Sequence, residues 1–199
     1  MLFRSQFLAT IEALEVALEA KHDYTEGHSR RVAEMSVRIA REMGLNGKYV
    51  EHIRLAALFH DIGKIGIRDN VLNKPGHLTD EEFEHIKTHP LVAEKILAPL
   101  EGFQEIIDMI KFEHEWYDGN GYPCQIAGEE IPLGARIIAV ADAYDALVTT
   151  RSYRKGTTPE RALAVIAESA KTQFDPGAVV ALTRMIEAGN YIPVPAEAQ

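Results

Sequence analysis

An all-α fold is what the sequence predicts, and three observations predict it. Apolar residues recur at three- and four-residue spacings, several segments open with a capping side chain, and no stretch alternates apolar with polar residues as a half-buried strand would. The expectation is a single domain of roughly seven to nine helices. Its 199 residues, 46% of them apolar and 26% charged, suffice for one sizeable core.

The elements follow in order. Phe3, Phe7, Ile11, Leu14 and Leu18 share one face of a helix from Leu2 to about Ala20, suited to packing on the core or to pairing with a second copy. After a turn over His22 to Gly27, Val32, Met35, Ile39 and Met43 line a second helix that Gly44 stops. From about Lys48, Val50, Ile53 and Ala57 lead through Leu58 and Phe59 into His60-Asp61-Ile62-Gly63-Lys64, where glycine is expected to end the helix.

Thr79 and Glu82 have the spacing of a capping box, predicting a helix to about His89, with Pro90 opening the next. A helix is predicted from Phe103 to Trp116, ending in Asp118-Gly119-Asn120-Gly121-Tyr122-Pro123, where two glycines and a proline impose a tight loop. Leu133 to about Thr149 is strongly apolar yet carries Asp142 and Asp145, three residues apart on one face. Thr158-Pro159 and Asp175-Pro176 each pair a capping side chain with proline at the first helical position. The segments read as a helix over 1–21, the main domain over 22–190 and a frayed tail over 191–199.

Charge excludes some functions. Lys and Arg number 21 against 30 Asp and Glu, a net charge of −9, which argues against a general basic field for long nucleic acid. The lone Cys124 allows neither an internal disulfide nor a thiolate cage, so a reducing, cytoplasmic setting is expected and any metal falls to His and carboxylate ligands. No stretch has the length of charge-free apolar residues that a membrane span needs, and Glu12, Glu15 and Glu19 interrupt the first segment.

The eight histidines all lie within the first 114 residues. His60-Asp61 is either a surface hydrogen-bonded pair or a metal-binding pair whose carboxylate bridges two cations. Asp142 follows the run Ile137-Ile138-Ala139-Val140-Ala141, where an unpaired carboxylate would cost several kcal/mol, so it needs a cation or hydrogen-bond donors. Lys64, Arg151 and Arg154 are either phosphate ligands or solvated charges. Tyr122 either stacks on a base or packs under its loop.

Gly27-His28-Ser29, His60 to Lys64, Lys74 to Thr79, His89-Pro90, His114-Glu115, Asp118 to Pro123, and Ala141 to Leu147 followed by Arg151 to Arg154 occur in that order. Together they resemble the HD-GYP subgroup of the HD phosphohydrolases, over about Tyr24 to Pro176. The resemblance implies an all-α HD-domain bundle holding a metal centre that hydrolyses cyclic di-GMP to the linear dinucleotide pGpG, in some members onward to GMP, through a hydroxide bridging two metals. It implies one metal held by His28, His60, Asp61 and Asp142, and a second held by His89, Glu113 and His114, with Asp61 bridging and Asp61 and Lys64 catalytic. Lys64, Asp145, Arg151 and Arg154 would meet substrate, and Gly121, Tyr122 and Pro123 would line its guanine side. Two divalent ions, iron or manganese, are implied as cofactors.

Two departures stand out. Glu113-His114 replaces the subgroup's usual pair of histidines, exchanging an imidazole for a carboxylate that still suits manganese or iron. Tyr24 stands where members with a third metal carry glutamate, so two metals are expected. The sequence leaves two alternatives open: a catalytically weak cyclic-dinucleotide sensor whose Glu113 fails to hold the second metal, and an HD hydrolase for another nucleotide or phosphoester. Subgroup members usually carry a receiver or sensory domain ahead of this one. Regulation is therefore expected from a partner protein, from homodimerisation through the helix at Leu2 to Ala20, or from a larger assembly.

Overall fold

Ile137, Ile138, Val140, Ala141 and Tyr144 are fully buried, which makes the apolar segment from Leu133 the axis of the fold. The computed structural model describes residues 27–150 and 155–189. The helix expected at Leu2 to Ala20, the tail, and Arg151 and Arg154 lie outside the described residues. In chain order the helices are α1 (His28–Glu42), α2 (Gly47–Phe59), α3 (Asp69–Leu72), α4 (Asp80–Ile86), α5 (His89–Leu97), α6 (Gln104–Lys111), α7 (Leu133–Val148), α8 (Pro159–Glu168) and α9 (Pro176–Glu187). Two short 3-10 helices cover Ile62–Gly66 and Gly128–Glu130, and there is no strand among the described residues. The all-α expectation stands.

Helix α7 packs against α1, α2, α6, α8 and α9, while the 3-10 turn Ile62–Gly66 leans on α5. Cap chemistry sets several boundaries. The Glu82 amide donates to Thr79 Oγ1 at 3.3 Å and the Thr79 amide to Glu82 Oε2 at 2.8 Å, closing the capping box at the start of α4. Asp175 accepts from the amides of Gly177 and Ala178 at 2.6 and 3.1 Å, and Thr158 caps α8 in the same way at 3.3 Å.

Three boundaries differ from the sequence expectation. Helix α4 ends at Ile86, and a new helix starts at His89 with Pro90 in its first turn. Helix α2 ends at Phe59, so His60 and Asp61 sit in the bend before the 3-10 turn, ahead of Gly63. Helix α6 stops at Lys111, five residues before Trp116. Beyond it the backbone serves the glycine loop: Tyr122 N donates to His114 O at 3.1 Å. Gly121 lies so close that a Cβ there would come 2.2 Å from Trp116 N, and an α-helix through Trp116 would forfeit this pairing.

Candidate metal centre

Four bends bring the ligand-type side chains together: the start of α1 (His28), the end of α2 (His60, Asp61), the start of α5 (His89) and the turn after α6 (Glu113, His114). Asp142 joins them from α7. They form two groups, His28, His60 and Asp142, and His89, Glu113 and His114, each with ligand atoms within 4.8 Å of one another.

The imidazoles are oriented by their outer nitrogens. His60 Nδ1 donates to Ala57 O and His89 Nδ1 to Ile86 O, both at 2.8 Å, which directs each Nε2 lone pair inward. His28 Nδ1 donates to Asp145 Oδ2 at 2.7 Å, and its Nε2 lies 3.2 Å from Asp142 Oδ1. His89 Nε2 and His114 Nε2 face each other at 3.1 Å. Such convergence of buried donor atoms suits a cation.

Charge is uneven across the two groups. Burial disfavours the His28 imidazolium, but Asp142 and Asp145 outweigh it and lift the group to about 9. Burial, followed by the charge of Lys64, takes His89 down to about 4, and burial with His89 beside it takes His114 to about 3. Glu113 is pushed well above the carboxylate range, first by burial and then by Asp61 and Asp142. It is 3% exposed, and neither of its oxygens has a hydrogen-bond partner among the described residues. A buried carboxyl so placed lacks only a cation or a proton, and this orphaned pair of oxygens fits a metal ligand.

Asp61 adjoins the first group. Its Oδ2 is 3.6 Å from His60 Nε2 and 2.7 Å from Lys64 Nζ. Burial opposes its charge, but His60, Lys64, His28 and His89 together hold it well below the carboxylate range. Asp142 is likewise lowered, against burial, by its hydrogen bond to His28.

Residues 12–178 match the HD domain family. The chain belongs to the HD domain family. This HD domain is 40% identical over 177 residues to the cyclic di-GMP phosphodiesterase response regulator RpfG of Xanthomonas campestris, covering 88% of this chain and 47% of the relative. It is 39% identical over 183 residues to the 3′3′-cGAMP-specific phosphodiesterase 3 of Vibrio cholerae, covering 92% and 39% of the two chains. The crystal structure of a cyclic GMP-AMP specific phosphodiesterase of V. cholerae matches its fold with a TM-score of 0.69 at 21% identity, over 90% of this chain and 49% of that one. The chain thus spans less than half the length of these relatives.

The remaining expected site residues of the HD domain are placed as follows. Gly121 and the cis-linked Tyr122-Pro123 lie beside the second group, and the Tyr122 ring stacks on His114 with centroids 4.9 Å apart. Asp145, expected to meet substrate, has contacts within the protein. It is 2% exposed, and its oxygens are taken by His28 and by Arg31, whose Nε and Nη2 donate at 2.7 and 3.1 Å. Sequence reasoning missed Arg31, although it sits one turn after His28 on the same face of α1. It also missed Glu115, a buried residue whose Oε1 accepts from the amides of Cys124 and Gln125 at 2.5 and 3.0 Å and ties down the segment after Pro123. His52 is buried against Glu105, and His85 accepts from Arg68 N at 3.3 Å, so neither joins the centre. No helix among the described residues is long and apolar enough to cross a membrane.

Proposed function

We propose that this HD domain is a metal-dependent phosphodiesterase of the HD-GYP type that opens cyclic di-GMP to linear pGpG. The observation that carries the reading is the pair of groups of ligand-type side chains, with Asp61 beside His60 of the first and Lys64 held to Asp61 at 2.7 Å. His28, His60 and Asp142 would hold one divalent ion and His89, Glu113 and His114 the other, with Asp61 shared; iron and manganese suit this nitrogen and oxygen donor set. When bound, such a pair supplies Lewis-acid activation of water and neutralises charge on phosphodiester oxygens.

The chain's own residues do the rest. Lys64 presents an ammonium whose charge Asp61 sustains against burial, placed to offset negative charge on a non-bridging oxygen or the leaving 3′-oxygen. Glu113 adds an anionic oxygen where a neutral imidazole is usual, which favours hard cations. Tyr122, stacked on His114, closes one side of the second group, and its loop with Gly121 and Pro123 is the wall for a guanine. Arg151 and Arg154 are proposed as further phosphate ligands. The catalytic unit is taken as 22–190, with 1–21 as a packing or dimerisation helix, working in the cytoplasm.

The test is anaerobic purification with metal analysis, followed by chromatography of cyclic di-GMP and 3′3′-cGAMP after incubation with manganese or iron(II). An ion at each group and linear pGpG supports the proposal. One ion or none, with cyclic di-GMP bound but intact, would replace it with the sensor reading. Hydrolysis without preference for cyclic dinucleotides would replace it with a general phosphoesterase.

A further inference from the structure

Asp145 sits one turn beyond Asp142 on α7, so a single helix reaches both nitrogens of His28: Asp142 Oδ1 lies 3.2 Å from Nε2, and Asp145 Oδ2 lies 2.7 Å from Nδ1. Arg31, from the same helix as His28, grips Asp145 with two nitrogens of its guanidinium. His60 and His89 have only a backbone carbonyl behind Nδ1, whereas His28 has a buried carboxylate.

The difference has a chemical consequence. A carboxylate on Nδ1–H fixes the tautomer and makes Nε2 a better electron-pair donor than a carbonyl does. The two-point grip of Arg31 locks the Asp145 side chain in place and balances a charge that would be costly if buried alone. Accepting from three nitrogens, Asp145 already has its donors within the protein.

We propose that Asp145, pinned by Arg31, is a positioning residue that aims His28 Nε2 and strengthens the affinity of the His28, His60 and Asp142 group for a divalent ion. This rests on the reading of that group as a metal site.

The test is a manganese(II) titration of metal-depleted protein, with the free ion counted by electron paramagnetic resonance. Asp145→Asn keeps the shape but offers an amide that can donate to Nδ1, which turns Nε2–H toward the site and removes its lone pair. One ion should bind about ten- to a hundredfold more weakly, with the other unchanged. Arg31→Lys keeps the charge but loses the fork, and should shift the same ion by a smaller factor in the same direction. Asp175→Asn, which weakens the cap of α9 and its ion pair with Arg136, should lower the melting temperature and leave both affinities alone.

Wild-type affinities in Asp145→Asn would overturn the proposal and leave the phosphodiesterase reading in place. A wild-type chain that binds no manganese would overturn both. If Asp145→Asn fails to fold, Arg31→Lys decides: unchanged affinities overturn the proposal, and weakening of one ion supports it.

Discussion

His89 Nε2 and His114 Nε2 stand 3.1 Å apart, with the His89 Nδ1 proton committed to the Ile86 carbonyl. Both rings are held neutral by burial, to about 4 and about 3, so a proton or a cation has to sit between their inner nitrogens.

His114→Ala should therefore lose one ion per chain and depress cyclic dinucleotide hydrolysis by at least about a hundredfold, a first-contact loss exceeding that of outer partners. Elemental analysis beside a turnover assay checks this. Two retained ions with near-normal turnover would remove His114 from the ligand set.

Asp61→Ala should empty both groups rather than one. Asp61 is close to His60 and Lys64, and its charge is sustained by histidines from both groups, His28 and His89. The bend itself survives, because Lys64 N donates to the backbone oxygen of residue 61 at 2.9 Å and not to its side chain. The expected outcome is a metal-free chain whose melting temperature matches that of metal-depleted wild type. Retained metal and activity would end the bridging role.

Metal loading should release protons and tighten as pH rises. Without a cation, His28 near 9 is imidazolium at neutral pH, and Glu113 is shifted toward its protonated form by burial. Both must deprotonate to become ligands, whereas His89 and His114 are already neutral. About one proton from His28, with a further contribution from Glu113, should leave per chain fully loaded at neutral pH, and raising the pH toward 9 should favour loading because fewer protons remain to displace. Calorimetry in buffers of different ionisation enthalpy measures the count. A count of zero would contradict these protonation states.

Much of this was legible in the sequence because it is local. The Thr79 and Glu82 box and Asp175 before Pro176 act within a few residues, and α4 and α9 start where these caps put them. The order of the short motifs was equally readable. What escaped depends on contacts between distant segments. The stop of α6 at Lys111 follows from the return of Tyr122 to the His114 carbonyl, and the burial of Asp145 follows from Arg31, 114 residues earlier. Periodicity alone gives no sign of either.

Gly63→Ala offers a sharp test of how the fold sets the centre. The glycine was read as a helix stop, yet its place in the structure is a point of closest approach: a Cβ there would lie 1.9 Å from His89 O and 2.7 Å from Ala93 N. Both neighbours are backbone, so neither can yield by changing a rotamer. The 3-10 turn that follows Asp61 and carries Lys64 would have to move away from α5, which carries His89. The change should cost about 3 kcal/mol or more in the metal-depleted protein. It should also weaken whichever ions depend on Asp61 and His89 acting together. Thermal melts without metal, followed by manganese titration, separate the two effects. Wild-type stability in this variant would mean that the turn and α5 can part freely, and that their contact does not set the spacing of the two groups.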